Sequence, residues 1–599
     1  MKHKHYLLWL MILLGIYFAA CSNGSFLDET ATTDLTTTDV IFSDSTYTVG
    51  FLSEIYREIG FDTDPGRFKE IYERFGGLQG ACDEVECKVS DKIKTDMLFA
   101  TGSVNPIVVS DDAWEKSWMN IRYANVFLQN LDKAPLSEKI KQTYKAEARF
   151  LRAWYYFILV KHYGGVPLIG DAVYTGDDNI KVKRNTFAEC IDYIVSECDA
   201  IAPNLVVRPS GRNYGRVGSG ACKGLKSRAL LYAASPLFNG GADVPAGYPK
   251  ELVAYPEYSK ERWKNAMDAA QAVMDLGVYA LYNIEMSPAS GVDYPSVNGY
   301  FWIFQASDKA SDGAQKELLV EQQVAKSTYR ESLFCPPSRG GNGGGYAYQD
   351  LIDCYPMLDG TPYKYTEAEE QAGQNPWLNR DPRLFMSITY DQHNLNDGPQ
   401  SFSPVYTYLN EDGTPFNQDA VYSGTPTGYY ICKMQHFYAA AGNNFIAPPQ
   451  SRPQLRYAEI LLNYAEAATE WFAPANPPQS VYDALILIRD RAGIQAGNDG
   501  LYGLKANMTA DEMREIIQNE RRVELAFEGH RFFDVRRWMI APQTDSKMMT
   551  GMEVRLKDGK KVYTRFNVRQ HVWRPAMYFW PFPYDEISKA PDMKQNPFY

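Results

Sequence analysis

The chain has 599 residues, 45% of them apolar and 22% charged, a globular balance that excludes a long disordered protein. With 73 acidic against 61 basic residues the net charge is −12, which excludes wrapping a polyanion, since that needs clustered Lys and Arg. Tyr is in excess, 42 against 29 Phe and 11 Trp, and Tyr is the aromatic that tolerates a half-wet surface because its hydroxyl stays hydrated.

Lys2 and Lys4 precede a 13-residue apolar run, residues 6–18, too short to span a bilayer core of roughly 30 Å. Residues 1–20 therefore read as a signal peptide. Phe18-Ala19-Ala20-Cys21 resembles a bacterial lipobox with Phe in the place more usually held by Leu, so Cys21 is the expected lipidation site. Acyl chains there would anchor the protein without a spanning helix. The Ser-, Thr- and Asp-rich stretch that follows makes 21–45 a lipidated N-terminus and polar tether.

A single body is expected over 46–599, helical at 46–280 and 451–599, with a loop-rich insertion at 281–450. Asp111 or Asp112 is placed to cap a helix with the apolar stripe Trp114, Trp118, Ile121, Leu128 and Leu131. The spacing predicts further helices over 137–163, stopped by Gly164 and Pro167, then over about 185–203, 219–234 and 259–276. Arg152-Ala153-x-x-Tyr156 recurs as Arg228-Ala229-x-x-Tyr232, a moderate sign of stacked helix pairs of the tetratricopeptide kind. From 281 to 450, Gly, Pro, Tyr, Asn and Asp punctuate the chain every few residues, and so long an irregular stretch points to function. Helical patterning returns at 453, 479–491 and 509–540.

Eight cysteines follow Cys21. Cys82 and Cys87 are near enough in sequence to close a small loop; Cys190 and Cys198 lie about 12 Å apart along a helix, too far to bridge. The rest read as small buried hydrophobes. No zinc spacing, catalytic-serine, zinc-protease or phosphate-loop motif occurs. Asp62-x-Asp64 with Glu73 faintly resembles a calcium loop, but Arg67 stands where its invariant Gly belongs, so no metal is expected.

Four motifs in order give the C-terminal third its character: Arg452-Pro453-x-Leu455 with Tyr457-Ala458-Glu459; Ile488-Arg489-x-Arg491-Ala492-Gly493; Glu520-Arg521-Arg522-x-Glu524 running on to Trp538; and Trp580-Pro581-Phe582-Pro583 with Gln595-Asn596-Pro597. With Tyr163-Gly164-Gly165, Arg380-Asp381-Pro382-Arg383 and Thr427-Gly428-Tyr429-Tyr430, the chain resembles the SusD/RagB family of Bacteroidetes outer-membrane lipoproteins from Cys21 to its end. In the third motif, acids at i+4 with interleaved arginines set ion pairs along or between helices rather than a catalytic centre.

The resemblance implies a mainly α fold, a tetratricopeptide-like helix-pair scaffold with a large irregular loop-rich region. It implies a surface protein, lipid-anchored at the outer membrane, that captures oligosaccharide and delivers it to a SusC-like TonB-dependent transporter without catalysing a reaction. No cofactor beyond the lipid on Cys21 is expected. A peptide-binding relative and a lipid-anchored glycosidase are the alternatives. A glycan site needs rings for sugar C–H faces, beside amides and charged groups for the hydroxyls. The Gly/Pro-rich loop 329–348 offers Tyr329, Phe334, Arg339, Asn342, Tyr346 and Tyr348; a weaker candidate is Arg67 and Tyr72 with Asp83.

Overall fold

The computed structural model describes residues 38–68, 77–87, 94–174, 178, 181–283, 285–286, 297–305, 312–325, 327–342, 344–398, 401–435, 450–590 and 592–599. Cys21, the signal peptide, Tyr72 and Glu73 lie outside the described residues.

The body is an array of helices, α1 (Ser45–Arg57), α2 (Asp112–Asn130), α3 (Glu138–Tyr163), α4 (Phe187–Ile201), α5 (Ser219–Ala234), α6 (Glu261–Met274), α7 (Tyr457–Phe472), α8 (Gln479–Ala492) and α9 (Ala510–Glu524), in which each packs on the next as far as α8, and α9 packs on α7. Local chemistry sets the ends. Ser137 caps α3 through Ile140 N, and Gly164, at φ 76°, closes it. Thr186 with Glu189 and Thr509 with Glu512 form capping boxes that satisfy the first N–H groups of α4 and α9. The recurring arginines pin neighbours together: Arg152 reaches Asn125 Oδ1 at 2.7 Å, and Arg228 grips Glu459 at 2.7 and 2.6 Å. Asp111 caps α2 by position only, without a side-chain bond.

Two expectations need correction. A short helix, Thr38–Ser43, precedes α1, and Phe42 is fully buried against Phe51 and Phe127. The tether therefore gives way to folded chain by residue 38 rather than 46, because an aromatic anchor interrupts its polar run. Within the 451–599 stretch expected to be helical lies a long hairpin. Its strands bury Met552, Val554 and Tyr563 in a second hydrophobic cluster, and its turn is Asp558-Gly559 at φ 51° and 71°.

Among the described residues the strands relevant below are β1 (Val85–Cys87), β2 (Leu318–Val324), β3 (Gly345–Ala347), β4 (Gln450–Arg456), β5 (Met548–Lys557) and β6 (Lys560–Gln570). They pair antiparallel as β1–β3, β2–β4 and β5–β6. Pairing of β2 with β4 ties the loop-rich region to the start of α7. The main core fills the helical array, and the second cluster lies where α9 ends and the loop-rich region begins. All eight described cysteines are free, and every one but Cys354 is buried. Cys82 and Cys87 are thus unbridged.

The sequence motifs converge on one buried ionic network. Glu524, fully buried, accepts from Arg456 at 2.6 Å, from Arg383 at 2.9 Å and from Arg491. Glu520 meets Arg383 at 2.7 Å and Arg489 at 2.9 Å; Glu528 meets Arg456 at 2.7 Å and Lys433 at 2.9 Å. Burial alone would raise the Glu524 carboxyl, but Arg491, Arg456 and Arg383 hold it well below the ordinary range. The i+4 acids therefore pair between elements, not along their helix.

Candidate functional site

An open cleft of about 730 Å³, within the range of small-molecule sites, lies between β1–β3, the turn at 422–426 and the end of β6 remote from the hairpin turn. Register places Glu86 directly opposite Tyr346. Tyr346, only 3% exposed, packs on Tyr430 with centroids 5.7 Å apart and forms the floor. Burial pushes its hydroxyl well above the ordinary tyrosine value, so it stays protonated.

Tyr422 stands out, 60% exposed at φ 65°, on a turn whose base, Ala420 and Val421, is fully buried. Gly424 N donates to Ala420 O at 2.8 Å, closing that turn. The Tyr422 ring meets Phe566 edge-on, 5.4 Å between centroids, and its hydroxyl donates to Glu553 at 2.9 Å. Burial and then that bond push the hydroxyl up to about 12. A two-ring platform results, flanked by Ser423, Thr425 and Asn567.

β6 carries a bulge: Met549 pairs with Arg569 and Thr550 with Asn567, leaving Val568 as the extra residue. The bulge breaks the strict alternation of a strand, and four consecutive residues, 566–569, all line the cleft. Arg569 clamps Glu86 with Nε at 2.7 Å and Nη2 at 2.8 Å, and Tyr348 donates to the same carboxylate at 2.7 Å. Burial opposes the arginine's charge, but Glu86 outweighs it and raises the guanidinium above its ordinary value.

Of the nine residues singled out from sequence, Tyr346 and the exposed Asn342 line this cleft. Tyr348, 1% exposed, lies behind it under Glu86. Phe334 is buried in the second cluster. Arg339 is nearly buried and donates to Ser403 O and Oγ at 2.9 and 2.8 Å. Tyr329 points away and donates to Asp64 at 3.0 Å. Arg67 is locked on Asp112 at 2.6 and 3.0 Å, and Asp83 sits fully buried between Arg531 and Arg522. These side chains lie off the cleft wall because packing and ion pairing within the protein already satisfy them. Asp62 and Asp64 are likewise taken, by Lys161 and Arg452, and no metal-holding cluster exists among the described residues. Sequence reasoning missed Tyr422, Phe566 and Arg569. The Tyr422-Ser423-Gly424 turn and the Asp558-Gly559 hairpin were the available signals.

Comparison with known proteins gives the class. The model described as the SusD family matches residues 302–599, and one described as starch-binding, associating with the outer membrane, matches 90–211. SusD-like protein P2 of Formosa agariphila is 23% identical over 507 residues, 83% of each chain. A SusD-like protein of Bacteroides fragilis superposes with a TM-score of 0.73 at 26% identity, covering 94% of this chain and 98% of that one. A laminarin-binding SusD-like protein shares the fold at 19% identity and a TM-score of 0.55, over 93% of this chain and 100% of that one. The mainly α fold is thus that of SusD-like proteins, a carbohydrate-binding group. The chain belongs to the SusD/RagB family. No helix among the described residues is long and apolar enough to cross a membrane.

Proposed function

We propose that the protein is a non-catalytic surface lipoprotein that captures an oligosaccharide in the cleft of Tyr346, Tyr422 and Phe566. Held at the outer membrane by lipid on Cys21, it passes its cargo to a SusC-like TonB-dependent transporter. The observation that carries the reading is the pair of the exposed Tyr422 ring and the half-buried Phe566 ring beside hydroxyl and amide groups. Flat rings take the C–H faces of a sugar, and Ser423, Asn342 and Asn567 are placed for its hydroxyls. Family membership supports a sugar ligand. Among the described residues Glu86 is the single carboxylate lining the cleft, and it is already bound by Arg569 and Tyr348. Glycoside hydrolysis needs a pair of carboxyl groups roughly 5–10 Å apart, so binding without turnover is the better fit.

Titration of the purified protein against glycan and peptide panels tests the reading. A glycan should bind without release of reducing sugar, and Tyr422→Ala with Phe566→Ala should abolish binding. Unchanged affinity in that double variant removes the cleft assignment, and retention of peptides alone favours the peptide-binding alternative. Cys21→Ala should end labelling by radioactive fatty acid; persistent labelling removes the anchor.

A further inference from the structure

We infer that the cleft selects uncharged glycans and rejects those bearing uronate or sulfate groups, an inference that rests on the glycan reading above. It comes from the charge arrangement on the wall. Among the described residues two charged side chains of opposite sign line the cleft, Glu86 and Arg569, and they face one another through two hydrogen bonds of 2.7 and 2.8 Å. Such a fork-on-carboxylate pair uses the geometry by which Arg recognises an anionic ligand, so the protein's own acid occupies the anion site. Glu86 is 2% exposed and further fixed by Tyr348, so it cannot swing aside to free the guanidinium.

Among the described residues the ring platform carries no cation either. Behind it the Tyr422 hydroxyl is bound to Glu553, and Glu553 pairs with Arg555 at 2.9 Å, a second charge-balanced couple. An anionic glycan would exchange water for aromatic faces and hydroxyls without gaining an uncompensated positive charge, which costs free energy. The net charge of −12 adds a field that opposes approach of a polyanion. A neutral sugar meets none of these penalties.

The full chain, tested on an array of neutral, uronate-bearing and sulfated oligosaccharides, should retain neutral ones most strongly. The affinity of the best neutral ligand should change less than about twofold between low and high salt, because no ion pair forms on binding. Glu86→Gln keeps an acceptor for Tyr348 but frees Arg569, and should raise affinity for uronate oligosaccharides about tenfold, the scale of a new charge-assisted contact. A wild-type preference for acidic glycans, or a steep fall of affinity with salt, overturns the inference while leaving the glycan reading standing. A folded Glu86→Gln protein with no gain for uronates overturns it too. Retention of no glycan of any kind removes the glycan reading, and this inference with it. The salt and array measurements on the wild-type protein decide the matter even where Glu86→Gln does not fold.

Discussion

The ionic network under α9 and the cleft at the β5–β6 hairpin handle charge in opposite ways. In the network, Glu520, Glu524 and Glu528 are sealed from water among four arginines and Lys433, drawn from elements far apart in sequence. In the cleft a single pair among the described residues, Glu86 and Arg569, is set at the edge of a ring platform, and the remaining lining is uncharged. Every member of the network belongs to a family motif or is bound to one. The platform residues Tyr422 and Phe566 belong to none. Motif density therefore marks where the chain is held together, and the proposed ligand surface lies elsewhere.

The sharpest way to break this contrast is Glu524→Ala. Removing one acid from among Arg383, Arg456 and Arg491 leaves buried cations unpaired, and should cost about 3–5 kcal/mol in denaturant unfolding, with sugar affinity per folded molecule unchanged. A loss below about 1 kcal/mol would show that the network is solvated.

Glu84, beneath the cleft strand β1, comes next. Its carboxylate is buried and accepts from Phe527 N at 3.2 Å; burial raises its value to about 7 against an ordinary 4.5, although that bond works to lower it. A raised folded value means that its contribution to stability is full below 4.5 and is lost as pH rises through 7. Glu84→Gln should match the wild type at pH 4.5 and exceed it by about 2 kcal/mol above pH 7. The buried histidines, which titrate in the opposite sense, are common to both proteins and cancel. A difference that does not vary with pH defeats the assignment.

On the cleft side, Tyr422→Ala should shift stability by no more than about 0.5 kcal/mol, since the ring is exposed. Sugar affinity should fall about tenfold, equivalent to about 1.4 kcal/mol, by calorimetric titration. Asn342→Ala should produce the smallest change, a loss of about two- to threefold, the scale of one hydrogen bond at a wet site, without effect on unfolding. A large stability loss in either variant would erase the distinction between the two regions.

Much of the scaffold was legible in the sequence because its signals are local. Ser137, Gly164, Thr186 and Thr509 mark helix ends by chemistry within a few residues. Ion pairing by the third motif was legible in kind, though its partners, Arg383 and Arg456, are set by the tertiary fold. The cleft was not legible, because it gathers residues near 86, 346, 422 and 566 that no short-range rule connects. The 329–348 loop misled for a related reason. A Gly- and Pro-rich stretch reads as surface, yet Phe334 and Tyr348 turn inward where the second hydrophobic cluster and Glu86 receive them. The hairpin was readable from Asp558-Gly559, the strongest short-range turn signal, but its strands, rich in Lys and Arg, lack a clean apolar alternation.

The bulge at Val568 has a consequence for how such a protein diversifies. Among the described residues β6 pairs with β5 alone, so its outer edge shares no second ladder. One residue gained or lost there would re-aim the wall without disturbing the buried face of β5 or the helices beyond it. A lineage carrying this body can thus exchange the contour of this cleft by small insertions in one ribbon, while the framework that must fold is inherited unchanged.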